Sequence, residues 1–334
     1  MNEAVVTRAL VKRYGRHAAL DGFTLSVPRG SITGLVGRNG AGKTTWMMTV
    51  AGFVRPNSGE VNILGRGPFD ASVHAGRFSI LPQDSDMPSQ GKVRSLLVGY
   101  GCLQGMSKKA AAESVDSLIR AFNLSDKANS SVRALSHGMR KRVAVAQAFL
   151  GNPEVVMLDE PLSGLDPVEA DRLRSFILDR RGDTTIVISS HQLDDIERLC
   201  THVAFVSDGK VERMETLRAL TSDTGRIVYT LKAKPVDLAA VEAACQGVKL
   251  AYEGESIVAE FGSGLSVEAV NAALLPRLLE FGVLSVQPGR SLADAYLHDG
   301  AKILASTRTS KPVSGDIRAE DGTVRKTNLL SYSV

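Results

Sequence analysis

The residues Gly37-Arg38-Asn39-Gly40-Ala41-Gly42-Lys43-Thr44 fit the pattern G-x-x-x-x-G-K-[ST]. That pattern predicts phosphate binding, because glycines let the backbone approach a ligand without a Cβ clash. The N–H groups of such a loop, and of the helix that follows it, point at phosphate oxygens. Lys43 can then reach the β- and γ-phosphates, and the Thr44 hydroxyl suits Mg²⁺. The plainer alternative is a Gly-rich turn with a surface lysine. A second pair, Asp159 and Glu160, ends the apolar run Glu154–Leu158. Carboxylates at a buried strand end are costly unless they have ligands or partners. One can hold Mg²⁺ through water and the next can orient or deprotonate an attacking water; the rival reading is a cap and a salt bridge.

Other polar residues stand at comparable places. His191 follows the apolar run Thr184–Ser190, where it can contact a γ-phosphate or act as a local cap. Gln83 lies just past Phe78–Leu81, within reach of a central site. Ser136 can cap the helix after it, whose N-terminus favours an anion. Tyr14 lies in a polar connection and can stack on a base, or be a half-buried loop tyrosine. The basic triplet Arg140–Arg142 reads as solvated surface, weak evidence for phosphate contact.

These residues need strands and helices to place them. Residues 4–11 and 23–27 read as strands joined by a turn at Leu20-Asp21-Gly22. Ile32–Val36 reads as a buried strand and Thr45–Val50 as the opening of a helix, the context a phosphate loop needs. Short strands are expected at 60–64, 78–81, 154–158 and 184–190, with a hairpin turning at Ser207-Asp208-Gly209. From Val93 to Leu150 the spacing of Val115, Leu118, Ile119 and Phe122 is helical. Pro167 suits the first turn of a helix running to about Arg180. Residues 1–219 thus read as one α/β domain with a helical insertion at about 84–150, mainly parallel in its core, its early strands free to form a separate antiparallel sheet. Residues 225–298 read as a small β-α-β-β-α-β unit. Residues 299–334, rich in Ser, Thr, Lys and Arg, read as a flexible tail.

The bulk numbers fit this division. A chain of 334 residues with 43% hydrophobic and 23% charged content is ordinary for a soluble globular protein. No apolar run approaches the roughly 20 residues of a membrane span. The N-terminus lacks the pattern of a secretory signal. The net charge of +4 is mild and does not argue for nucleic acid. Cys102, Cys200 and Cys245 form no C-x-x-C pair and suit a reducing compartment.

Taken together over residues 4–219, these motifs resemble the nucleotide-binding subunit of an ATP-binding cassette (ABC) transporter. The resemblance implies a P-loop NTPase fold of the α/β class, an ABC ATPase domain with antiparallel β and helical subdomains, followed by a small α+β domain. It implies ATP and Mg²⁺ as cofactors. Nucleotide contacts would come from Tyr14, Gly37, Asn39, Gly40, Ala41, Gly42, Lys43, Thr44, Thr45, Gln83, Ser136 and Gly138. Mg²⁺ would be held by Thr44, Gln83 and Asp159, and Lys43, Glu160 and His191 would serve catalysis. The family signature, commonly L-S-G-G-Q, corresponds to Leu135-Ser136-His137-Gly138-Met139, so His137 and Met139 depart from it. His137 would crowd the interface, alter its geometry or point away. The family loop after the carboxylate pair corresponds to Ser163-Gly164-Leu165-Asp166.

The resemblance further implies partners: a second ABC ATPase subunit, identical or paralogous, and a separate transmembrane permease. The chain would then be peripheral at the cytoplasmic face of the membrane. Its layout is similar to bacterial exporter components, and no nucleic acid partner is expected. Two other readings stay open. One is a soluble cassette acting on ribosomes or DNA, disfavoured by the single cassette and the lack of a long heptad insertion. The other is a regulatory ATP-binding module with weak turnover, which His137 keeps in play.

Overall fold

The structure is a computed structural model and describes residues 2–83, 87–88, 90–221, 225–232, 235–262, 264–289 and 292. The expected tail at 299–334 lies outside the described residues, as do Asp294 and His298.

The first two strands are longer than their apolar runs suggest. Strands β1 (Glu3–Tyr14) and β2 (His17–Pro28) form a hairpin with Tyr14 opposite His17. The turn therefore falls at Gly15-Arg16, and the turn expected at Leu20–Gly22 is not one. Asp21 pairs with Val11 inside the ladder, and Gly22 (φ 83°) sits at a bulge. Glycine within a strand pattern commonly marks such a bulge. Strand β3 (Ile32–Val36) leads into helix α1 (Lys43–Val50). Strand β4 (Ser58–Ile63) completes a separate antiparallel sheet in the order β2-β1-β4. A short helix α2 (Ala71–His74), without a signal in the apolar spacing, precedes β5 (Phe78–Leu81).

The helical insertion contains α3 (Val93–Leu103), α4 (Lys108–Ala121) and α5 (His137–Ala148). Ser107 caps α4 by accepting from Ala110 N–H at 3.2 Å. The chain then alternates β6 (Val155–Asp159), α6 (Pro167–Leu178), β7 (Thr185–Ser189), α7 (Leu193–Leu199), β8 (His202–Ser207) and β9 (Lys210–Thr216). These strands build a six-stranded sheet in the order β5-β6-β7-β3-β8-β9, parallel except for β9. Every residue of β3, β6 and β7 is buried. Continuous apolar strands suit a parallel sheet covered on both faces.

Trp46 fastens the two sheets together. Its ring is fully buried and stacks on Phe23 at 5.7 Å between centroids. Its indole N–H donates to Thr7 Oγ1 at 3.0 Å. Helix α1, and the loop before it, is thus held against the antiparallel sheet by a large apolar contact with a satisfied polar end.

After the short helix α8 (Leu217–Thr221) come β10 (Arg226–Leu231), α9 (Leu238–Glu242), β11 (Val248–Glu253), β12 (Ser256–Phe261), α10 (Val267–Leu278) and β13 (Val283–Pro288). The strands form a second antiparallel sheet in the order β11-β12-β10-β13. Ile227, Tyr229, Ile257, Ala259, Val270 and Leu274 form its own core. A 3-10 turn at Leu279–Phe281 follows α10. Among the described residues no helix is long and apolar enough to cross a membrane.

Candidate active site

The candidate residues meet where the strand order places them. Strands β6, β7 and β3 are neighbours, and the carboxyl ends of all three carry a polar station. In open α/β sheets ligands bind in the crevice at those ends.

The phosphate loop follows β3. A Cβ on Gly37 would come within 2.2 Å of Val206 O, so only glycine lets the loop start against β8. Gly42 caps α1 at φ 109°, and a Cβ there would meet Ala19 O at 2.7 Å. Gly209 N–H donates to Ala41 O at 3.0 Å, and Asp21 N–H donates to Gly209 O at 2.9 Å. The loop is therefore braced by β2 and by the β8–β9 turn. Trp46 N–H makes the first helical bond, to Gly42 O at 2.8 Å. The N–H groups of Lys43, Thr44 and Thr45 precede it at the positive end of the helix. Asn39, Gly40 and Thr44 are exposed, while Ala41, Gly42 and Lys43 are buried. Lys43 Nζ donates to Gly37 O at 2.7 Å and to Arg38 O at 3.2 Å. Burial lowers the Lys43 pKa, and the nearby Glu160 and Asp159 charges oppose that shift.

Thr44 joins the phosphate loop to β6. Its hydroxyl donates to Asp159 Oδ2 at 2.7 Å. The other oxygen, Asp159 Oδ1, accepts from Ser189 Oγ at the end of β7. Glu160 is buried and its backbone is left-handed, with φ 51°. Its carboxylate Oε2 lies 2.9 Å from His191 Nδ1. That imidazole is half exposed, at 56% of its side-chain surface, while the Glu160 side chain is only 11% exposed. The site thus puts a buried ammonium, two buried carboxylates and an accessible imidazole at one sheet end. Thr44 and Asp159 offer adjacent oxygens, the donor type that Mg²⁺ takes alongside substrate phosphates.

The remaining candidates stand elsewhere. Tyr14, 52% exposed, ends the β1–β2 hairpin with Lys12 Nζ 5.1 Å from its ring centroid. Gln83 is exposed after β5, beside the end of β6. Ser136 caps α5 by accepting from Met139 N–H at 3.2 Å. His137 rests against the loop after Glu160: a Cβ on Gly164 would lie 3.1 Å from its Cε1. Gly138 faces Leu165 of the same loop.

Two residues were not singled out by their sequence setting. Ser189 is fully buried between Asp159 and Glu160; a serine at a buried strand end just before His191 was the available signal. Arg142 corrects the reading of a solvated triplet. It is 7% exposed, donates to Phe122 O at 2.9 Å, and pairs with Glu169 on α6 at 3.1 Å.

A phosphate loop after a central parallel strand, with a carboxylate pair on a neighbouring strand, defines a P-loop nucleotide-binding protein. The comparisons narrow this further. The family described as ABC transporter matches residues 20–163. The chain is 31% identical over 223 residues to the uncharacterized ABC transporter ATP-binding protein YhaQ of Bacillus subtilis, covering 66% of this chain and 74% of that one. It is 35% identical over 208 residues to a Nod factor export ATP-binding protein I of Burkholderia lata, covering 61% and 67%. It is 33% identical over 227 residues to a daunorubicin resistance ATP-binding protein of Streptomyces coeruleorubidus, covering 66% and 71%. A solved ATP-binding subunit of an ABC transporter superposes with a TM-score of 0.60 at 26% identity, covering 65% of this chain and 91% of that one. The fold is also that of an ATP-binding cassette solved as a dimer with ADP and Pi, with a TM-score of 0.59 at 22% identity, covering 64% and 99%. The chain belongs to the family of ABC transporter ATP-binding proteins.

Proposed function

We propose that this chain is the ATP-binding and hydrolysing subunit of a membrane ABC transporter, and that it works with a second cassette and a separate permease. The observation that carries this reading is the convergence of Lys43, Thr44, Asp159, Glu160 and His191, linked by bonds from the phosphate loop to β6 and on to His191, two residues past β7. Lys43 and the N–H groups at the start of α1 bind the phosphates. Thr44 and Asp159 would hold Mg²⁺, with Gln83 as a further ligand. When bound, Mg²⁺ supplies positive charge to the β- and γ-phosphates. Tyr14 stacks on the base.

Glu160 orients and polarises the attacking water. Its carboxylate is buried, so few competing waters surround it. His191 Nδ1 holds that carboxylate, and its exposed ring is free to contact the γ-phosphate. Gly138 stands by Leu165 of the loop after Glu160, and Ser136 and Gly138 complete the site of a facing cassette. The subunit sits at the cytoplasmic face and residues 1–219 form its ATPase domain, with 225–298 as a smaller unit. Export is the favoured direction, supported by the names of the Nod factor and daunorubicin relatives.

The test is ATP turnover of the intact complex with Glu160→Gln. A loss of about 10²-fold or more is expected for a residue that positions the nucleophile. Turnover equal to the parent would remove the role given to Glu160, and a gentle pull-down without any multi-span protein would count against transport.

A further inference from the structure

Ser189 ends β7 directly opposite Asp159 in the parallel β6–β7 register, and none of its surface is exposed. Its hydroxyl donates to Asp159 Oδ1. Ser189 Oγ in turn accepts from Glu160 N–H at 3.0 Å, and the Ser189 carbonyl accepts from that N–H at 3.2 Å. A serine hydroxyl has one proton and two lone pairs. Here the proton is committed to one candidate site residue and a lone pair to the next. We propose that Ser189 is a positioning residue for hydrolysis, setting the Asp159 carboxylate and the Glu160 backbone with a single hydroxyl. This rests on the roles of Asp159 and Glu160 given above.

Two features make the hydroxyl more than a filler of space. First, Asp159 is held from both sides, by Ser189 at Oδ1 and by Thr44 at Oδ2. Donors from two separate elements fix the plane of the carboxylate, and removing one frees it to turn. Second, Glu160 adopts φ 51°, a left-handed conformation that a residue with a Cβ keeps only when its surroundings enforce it. The hydrogen bonds from Glu160 N–H to Ser189 are part of that enforcement. The neighbouring hydroxyl is engaged elsewhere: Ser190 Oγ accepts from Gln192 N–H at 3.0 Å. Ser189→Ala would leave Asp159 Oδ1 buried with a donor lost, and Glu160 N–H with the longer bond alone. A displacement of about 1 Å at a reacting group costs about 10²-fold in rate.

The experiment compares the full-length chain with Ser189→Ala, Ser189→Thr and Glu160→Gln. It measures ATP turnover, the Mg²⁺ concentration for half-maximal turnover, binding of a fluorescent ATP analogue in EDTA, and thermal unfolding. Ser189→Ala is expected to lower kcat by about 10- to 100-fold with KM for ATP changed less than about threefold. Its Mg²⁺ requirement should rise several-fold, while analogue binding in EDTA stays at the parent value. Ser189→Thr, which keeps the hydroxyl, should recover most of both losses. Parent-like kcat and Mg²⁺ requirement in Ser189→Ala overturn the inference. So does a loss shared equally by analogue binding in EDTA and by unfolding temperature, since that marks a merely structural role. If Glu160→Gln is impaired while Ser189→Ala is not, only the positioning role fails. If Glu160→Gln turns over like the parent, the reading beneath it fails as well.

Discussion

The Thr44 hydroxyl donates to Asp159 Oδ2 at 2.7 Å, tying the first turn of α1 to the last residue of β6. This bond crosses 115 residues of sequence and makes the phosphate loop and the carboxylate pair one site. Asp159→Asn should therefore reduce ATP turnover by about 10²-fold, since it removes the charge proposed to hold Mg²⁺. Nucleotide binding measured in EDTA should stay close to the parent value. Parent-like turnover across a Mg²⁺ titration would contradict the assignment.

Lys43 gives a prediction in pH. Burial is the main cause of its lowered pKa, against the ordinary value of 10.5. The unfolded chain then holds more protons between the lowered value and 10.5, so stability rises with pH across that window. Below the window the full cost of burying the charge is present. Lys43→Met should therefore stabilise the nucleotide-free chain at neutral pH and flatten the rise toward pH 10, about where the free side chain titrates. ATP turnover should be lost at the same time. Urea unfolding at several pH values checks the first part and phosphate release the second.

The Arg142–Glu169 pair predicts a rescue by a second substitution. Both side chains are largely buried, at 9% and 15% exposure. Arg142→Met leaves the Glu169 carboxylate without this partner and should destabilise the chain by about 3 kcal/mol. The double change Arg142→Met with Glu169→Leu should recover most of that loss, because no charge is then stranded. Urea midpoints of the two singles and the double give the coupling directly.

Much of the site was legible because its chemistry requires particular residues at particular spacings. Gly37 and Gly42 are needed where β8 and β2 approach, and Lys43 and Thr44 follow at the helix start. The apolar runs before Asp159 and His191 marked buried parallel strands, and the structure has them adjacent. The hairpin turn was misplaced because Gly22 supplies a bulge, and a glycine alone does not distinguish a bulge from a turn. Arg142 reads locally as one of three solvated basic residues. Its partner Glu169 lies on another helix, and no local pattern reports a pairing across elements. Ser189 carries no local signal for a similar reason, since its partner Asp159 lies on the strand beside it. His137, open to three readings, lies against Gly164 of its own chain.

The buried ion pair has a mechanical side. Helix α5 begins at the cap Ser136, and α6 begins at the cap Asp166, six residues after Glu160. Arg142 locks one helix to the other, and Phe149 packs edge-on against Phe176 at 5.0 Å between centroids. The two helices therefore resist shearing past one another. A tilt of α5 would therefore load α6, whose cap Asp166 lies six residues after Glu160. The couple works as a stiff crank whose throw runs toward the loop that follows Glu160.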